Sequence, residues 1–526
     1  MSNLNANKYD AIVIGSGIGG LTAAAILSKY SHKKVLVLEQ HYVIGGFTHE
    51  FERQGFHWDV GLHYVGEMGE GEIGRQLFDY ITEGKLRWNK MPDPFDIFIY
   101  PDFTFEVDSD PQKYQSDLIG MFPEEKAAIE KYFADLKKVQ TWSELEAVAA
   151  SFPSFLSPIV KLLTRTFGKI SRQTTKEYLD RNFQNPQLKS LLDSRSDTYA
   201  LPSSQSSFGI HALIANHYLK GGWYPVGGSS QIAKQILPVI EKTGGRAIAR
   251  REVTEILIEN GVAIGVKARK THKPEAEIEE YYAPIIISDA GAFNTYTKLI
   301  PENYAISYRE EIKAFPKGMS NITLYLGFKE SPAKLGFKGE NHTIFKDYDH
   351  ENTFVKLTKL EEFPTGCYLS FPSLKNPAAK SHTGEIICFI DYNCFAQWQD
   401  KSWKKRGEEY SQLKEKLSQS LIELVESQYP GFKDLIAYSE LSTPLTVEYF
   451  DGSDRGAIYG IPPIPKRLDA KWIDAKTPIK NLYLTGTDVS GHGILGAAIG
   501  GVVTAGVLNG SFGFFKIMSA LTSYKP

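Results

Sequence analysis

Cysteine is nearly missing: three in 526 residues, Cys367, Cys388 and Cys394, an odd number with no Cys-x-x-Cys pair. That excludes a disulfide framework, so the three read as reduced thiols in a reducing compartment, and no metal site is expected. Excess charge is missing too. Lys and Arg number 59 against 62 Asp and Glu, a net −3, a balance that gives no hint of a nucleic-acid partner. Residues 1–7 are short and polar, without the basic-then-apolar order of a secretion signal, so a cytoplasmic location is expected. One uncharged run, 493–515, is long enough to cross a bilayer, but its many glycines read as a buried helix instead. No repeat or low-complexity linker divides the chain, so its domains are expected to interleave. The remainder is ordinary for a globular protein, 42% hydrophobic and 23% charged, and long enough for two or more cores.

What is present is concentrated near the start, in Tyr9-Asp-Ala-Ile-Val-Ile-Gly15-Ser16-Gly17-Ile-Gly19-Gly20. A short apolar strand running into Gly15-x-Gly17-x-x-Gly20 has the pattern of a dinucleotide turn. Its glycines serve three separate needs, the tight turn, the approach of backbone to a pyrophosphate, and the packing of helix on strand. A helix over 21–30 begins where its free N–H groups and positive dipole end can meet phosphates. The next apolar strand, Val35-Leu-Val-Leu-Glu39, delivers a carboxylate for ribose hydroxyls and argues against a 2′-phosphate there. Gly45-Gly46 and the turn Gly55-Phe-His-Trp-Asp59-Val-Gly61-Leu-His63-Tyr64 follow.

Further along, 70–110 reads as a first passage into a second domain. A helix is expected over 111–141, with Tyr114, Leu118, Met121, Ile129, Phe133 and Leu136 inward. Residues 151–172 contain no acid, and Lys161, Arg165 and Lys169 recur every fourth residue beside an apolar face of Phe155, Ile159, Leu162, Leu163 and Phe167. That is the composition of a helix lying in a membrane surface. Gly221-Gly222-Trp-Tyr-Pro-Val-Gly227-Gly228 leads into an apolar helix, and short strands over 247–291 return to the nucleotide domain. Apolar strands within 313–470 suit an antiparallel sheet facing a substrate, and Leu413, Leu417, Leu421, Leu424 and Val425 trace one helix face. The chain closes with Asn481-Leu-Tyr-Leu-Thr-Gly486-Thr-Asp488, then His492 and a glycine-rich helix start through Gly496 and Ala497.

Several stretches carry a resemblance beyond a single glycine motif. They include Phe56-His-Trp-Asp59-Val-Gly61-Leu-His63-Tyr64, Ser207-Phe-Gly-Ile-His211, Asn216-His-Tyr-Leu-Lys-Gly221-Gly-Trp-Tyr-Pro, Ser288-Asp-Ala-Gly291-Ala-Phe-Asn and Phe371-Pro-Ser-Leu-Lys-Asn-Pro377. Over nearly its whole length the chain resembles the retinol saturase family, in the carotenoid desaturase and isomerase branch of flavin amine-oxidase-like enzymes. The resemblance implies an α/β fold: a Rossmann-like FAD-binding domain of amine-oxidase type, interleaved with an α+β substrate domain built on a mixed or antiparallel sheet. The FAD domain is expected over 1–75, 222–305 and 470–512, the substrate and membrane-contact domain over 76–221 and 306–469, with a tail over 513–526. Flavin contacts are expected at Gly15, Ser16, Gly17, Gly19, Gly20, Glu39, Gln40, Gly45, Gly46, Phe47, His63, Tyr64, Val253, Gly486, Asp488, Gly496 and Ala497. Phe47 and Thr48 stand where relatives carry cysteines near the glycine pair.

The activity implied is saturation of one carbon-carbon double bond of a retinol-like or apocarotenoid polyene, by hydride from flavin N5 with protonation of the neighbouring carbon. Tyr64, His63 and His492 are the candidate proton donors. No second Gly-x-Gly-x-x-Gly runs directly on from an apolar strand, Gly69–Gly74 and Gly491–Gly496 having the spacing alone, so NADPH as electron donor would visit the same cleft, or electrons would come from a separate reductase. The rivals are a carotenoid desaturase or polyene isomerase on the same scaffold, and a flavin-free lipid carrier resembling Rab GDP-dissociation inhibitors.

Overall fold

The computed structural model describes residues 9–151 and 168–526. Strand β1 (Ala11–Ile14), helix α1 (Ile18–Ser31) and strand β2 (Val35–Leu38) form the opening unit. Both strands are apolar throughout because both of their faces are covered. Ala11, Val13, Val35 and Val37 enter one core, while Ile12, Ile14, Leu36 and Leu38 enter another on the opposite face of the sheet. The sheet is parallel and five-stranded, in the spatial order Leu482–Leu484, Ile286–Ser288, β1, β2, Arg246–Ile248. Its strands therefore come from three distant parts of the chain.

The glycines of the helix Gly493–Leu508 serve close packing. A Cβ at Gly501 would meet the Gly19 carbonyl oxygen at 2.6 Å, and one at Gly500 the Gly486 carbonyl oxygen at 2.2 Å. This helix lies against α1 in the core beneath the nucleotide turn. Among the described residues no helix is long and apolar enough to cross a membrane. Residues 513–526, expected as a tail, contain the helix Gly513–Ser523, whose Ile517 and Leu521 are fully buried.

A second sheet of seven strands runs Ile436–Ser442, Ser320–Phe328, His382–Ile390, Gly366–Ser370, Asn341–Phe345, Asp96–Ile99, Thr104–Val107. Every pair is antiparallel except Asn341–Phe345 with Asp96–Ile99. Alternation along Ser320–Phe328 assigns its faces. Ile322, Leu324, Leu326 and Phe328 pack onto the helix Glu408–Gln428 through Leu417, Leu421 and Val425, whereas Asn321, Thr323 and Tyr325 look into a cavity.

The helix expected over 111–141 is two helices, Pro111–Met121 and Lys126–Ser151, parted at Phe122-Pro123 because proline cannot donate to a continuing helix. Met121, expected inward, sits at that break and is 39% exposed. Residues 152–167 of the basic segment 151–172 lie outside the described residues, so its membrane role stays an expectation.

Candidate active site

The parallel sheet and the inner face of the seven-stranded sheet enclose one cavity of about 1410 Å³, larger than the roughly 300–1,000 Å³ of ordinary ligand pockets. At one end stands the turn from β1 into α1. Gly15 has φ +93°, a conformation L side chains rarely adopt. A Cβ at Gly20 would sit 2.6 Å from the Gly15 carbonyl oxygen, and one at Gly46 would sit 2.9 Å from the Gly17 Cα. The turn is thus a bare backbone cradle closed by the second glycine pair. Glu39, at the end of β2, accepts from the Ser16 N–H at 2.8 Å and the Ser16 hydroxyl at 2.7 Å through one oxygen, and from the His41 N–H at 2.7 Å through the other. A carboxylate has about four acceptor positions, so Glu39 secures the turn and keeps capacity for a ribose. The cradle, the carboxylate and the volume fit a dinucleotide.

Two further carboxylates face this end. Asp488 accepts from the Ala292 N–H at 2.7 Å and the Ile461 N–H at 3.1 Å, tying two loops to the turn after Leu482–Leu484. Asp289 lies in the crook between α1 and Gly486: a Cβ at Gly17 would meet its Oδ2 at 2.6 Å, and one at Gly19 its Oδ1 at 2.7 Å. Burial, opposed by a bond from the Gly20 N–H and reinforced by Glu39 and Asp488, raises its carboxyl to about 8.

At the other end, His63 lines the cavity with 22% of its side chain exposed. Its Nδ1 is buried, 3.0 Å from Glu385 Oε2 but without hydrogen-bond alignment. Burial, with the nearby Lys375 ammonium, lowers the imidazole to about 3, so it is neutral at physiological pH. Lys375 is 1% exposed and donates to the His63 carbonyl at 2.9 Å, Asn341 Oδ1 at 2.5 Å and Ser370 Oγ at 2.6 Å. Asp59 accepts from the Tyr224 hydroxyl and, at 2.9 Å, from the Ser229 N–H. It thereby joins the histidine motif to the glycine-rich loop after Gly221.

Gly15, Ser16, Gly17, Gly19, Glu39, Gln40, Gly45, Gly46, Phe47, His63, Val253, Asp488 and Ala497 all line the cavity. Gly20, Gly486 and Gly496 instead pack against backbone: Gly20 on Gly15, Gly486 under Gly19 and Gly500, and Gly496 on Gly491. Tyr64 also departs from expectation. Its ring stacks on Tyr218 with centroids 4.4 Å apart, and its hydroxyl donates to Asp96 at 3.1 Å, where Arg195 also donates to Asp96 at 2.5 Å. Tyr64 is not among the described residues lining the cavity. His492 is turned away as well. Its Nε2 donates to the Ile461 carbonyl at 2.9 Å, behind the cavity wall, and burial beside Arg467 lowers it to about 3.

Sequence reasoning passed over Asp289, Lys375 and Glu385. Asp289 and Lys375 stand inside two of the family motifs, Ser288-Asp-Ala-Gly291 and Phe371-Pro-Ser-Leu-Lys-Asn-Pro377. Glu385 carries its own signal, a lone acid opening the apolar run Ile386-Ile-Cys-Phe-Ile.

Known proteins with matching sequence or fold agree with this geometry. Residues 13–81 match the model of an NAD(P)-binding Rossmann-like domain. The all-trans-retinol 13,14-reductase of Danio rerio is 35% identical over 534 residues, covering 95% of this chain and 86% of its own. The chloroplastic prolycopene isomerase 2 of an Oncidium hybrid cultivar is 29% identical, covering 97% and 85%. The cyclohexylamine oxidase of Brevibacterium oxydans shares the fold, with a TM-score of 0.61 at 14% identity over 98% of this chain and 99% of its own.

Proposed function

The chain belongs to the all-trans-retinol 13,14-reductase family, and from that premise we propose that it is an FAD-dependent oxidoreductase that saturates one carbon-carbon double bond of a retinol-like polyene. The observation that carries the reading is the continuity of the cavity. One space joins a dinucleotide cradle to a wall of Tyr325, Thr323 and Asn321 and to the imidazole of His63.

In this reading the Gly15–Gly20 turn, Glu39, Gly46, Val253, Asp488 and Ala497 hold FAD. When bound, FAD supplies hydride at N5. The chain's own residues supply the rest. The inner face of the seven-stranded sheet would lay the polyene against Tyr325, Thr323 and Asn321, fixing the alkene in the orientation the transfer needs. His63 is the proton donor: it lines the cavity, and as a neutral imidazole it holds one N–H that can protonate the carbon beside the one reduced. Tyr64 keeps its proton within the Asp96–Arg195 network, and His492 holds the loop at Ile461, so neither competes. Electrons arrive from NADPH visiting the same cleft or from a separate reductase.

The likeness to prolycopene isomerase supports a second reading on the same scaffold, in which the double bond is only rearranged. Turnover of all-trans-retinol by the flavin-loaded, reduced protein separates the two. Saturation gives a product two hydrogens heavier; an isomer of unchanged mass would replace the proposal with the second reading.

A further inference from the structure

Glu385 is the buried acid that the reaction as described leaves unused. It opens the apolar part of the central strand His382–Ile390, its side chain is 0% exposed, and neither carboxyl oxygen has a hydrogen-bond partner among the described residues. A carboxylate in that state would forfeit its hydration with nothing in return. The charged and titratable groups around it are Lys375, Asp59, His63 and the tyrosines Tyr224, Tyr325 and Tyr368, whose hydroxyls burial keeps protonated. Lys375 spends its three N–H bonds elsewhere, on the His63 carbonyl, Asn341 and Ser370. Asp59 is a like charge already engaged by Tyr224 and Ser229. Burial and Asp59 push the Glu385 carboxyl up, and Lys375 opposes them. What lies within reach of its Oε2 is His63 Nδ1, at 3.0 Å and equally buried. Because Nδ1 is covered, the exposed part of the imidazole is the remainder of the ring, turned to the cavity.

We propose that Glu385 is the proton reservoir of the site, passing its proton through His63 to the polyene. The inference rests on the saturase reading and deepens it. The proton must reach a carbon inside the cavity, and an imidazolium beside a Glu385 that kept its own proton would be a buried cation without a counter-ion. A relay avoids it. Once the imidazole turns to bring Nδ1 into line with the carboxyl, which it is not at rest, the Glu385 O–H bond breaks as an N–H bond forms at His63 Nδ1, and the Nε2–H bond breaks as a C–H bond forms on the substrate. The neighbouring carbon would take the hydride that bound, reduced FAD supplies. The imidazole stays neutral throughout and exchanges one tautomer for the other. The charge left is the Glu385 carboxylate, which the Lys375 ammonium beside it stabilises. When product leaves, water entering the cavity returns the proton along the same path. Glu385 acts through His63 and is a positioning residue; Lys375, anchored on the His63 carbonyl, fixes the histidine against it.

The test pairs a spectrum with kinetics. In the infrared, wild-type protein at pH 7 is expected to show the carbonyl band of a protonated carboxyl that shifts in heavy water and disappears in Glu385→Gln. In single turnovers of the reduced holoenzyme with retinol, Glu385→Gln is expected to form product about 100-fold more slowly, with polyene binding unchanged and a solvent isotope effect larger than wild type. Absence of any protonated-carboxyl band from wild-type protein at pH 7, or retention of every such band in Glu385→Gln, overturns the relay. So does a Glu385→Gln protein that saturates retinol at the wild-type rate. Wild-type protein that saturates no polyene overturns the functional reading instead, and is told apart by that control alone.

Discussion

Replacing Asp289 by Asn tests the nucleotide end of the cavity through the pH dependence of FAD affinity. The carboxyl sits at the N-terminus of α1, where the glycine turn would receive a pyrophosphate, and its neighbours Glu39 and Asp488 help raise it to about 8. Asp289 is part-exposed to the cavity, and an anion placed there raises its affinity for a proton further. FAD binding therefore takes up a proton once the pH exceeds about 8. Each pH unit above that point costs wild-type protein roughly 1.4 kcal/mol, or tenfold in Kd. Below it the group is already protonated and affinity is level. Asn keeps the shape and the neutrality of the protonated acid, so Asp289→Asn is expected to match wild type at pH 7 and to lose nothing between pH 8 and 9. Titration of the apo-protein with FAD, followed by flavin fluorescence, reads both curves. A wild-type affinity level from pH 7 to 9, or an Asn variant that falls in parallel with wild type, would refute the reasoning.

Two substitutions probe other parts of the site and its support. Glu39→Ala removes the acceptor for Ser16 and His41 along with the ribose contact; at 1.5–3 kcal/mol for a charge-assisted hydrogen bond, FAD affinity measured by equilibrium dialysis is expected to fall about 10- to 100-fold. Asp96→Ala leaves Arg195 buried without its carboxylate, a loss of about 3–5 kcal/mol expected to lower the melting temperature by several degrees, while Asp96→Asn, which keeps an acceptor for Arg195 and Tyr64, is expected to lose less.

The nucleotide half of the fold was legible because its chemistry is local. A glycine turn between two apolar strands states its own purpose, and the carboxylate at Glu39 falls at the distance the turn dictates. Strands buried on both faces read as unbroken apolar runs, and so they appear at 11–14 and 35–38. The far end was less legible because it is assembled from separated segments. His63 and Tyr64 are neighbours in one motif, and nothing local says that the fold turns one to the cavity and the other to Asp96 and Arg195. Lys375 and Glu385 lie more than 300 residues from His63 in sequence, and only the sheet brings them behind it. Met121 faces outward because it is the last residue of the first helix, and Phe122, which follows it into the break, is buried instead. His492 looks catalytic by its place beside Asp488; its ring instead holds the Ile461 carbonyl.

The central claim is that bound flavin hands its electrons to a polyene within this cavity, and one anaerobic cuvette tests it. The purified protein is loaded with FAD, bleached with dithionite just to the end point, and given all-trans-retinol. The account predicts that the oxidised flavin spectrum returns, one flavin per product molecule, and that the product is two hydrogens heavier than retinol. A flavin that stays bleached while retinol is recovered unchanged would contradict it.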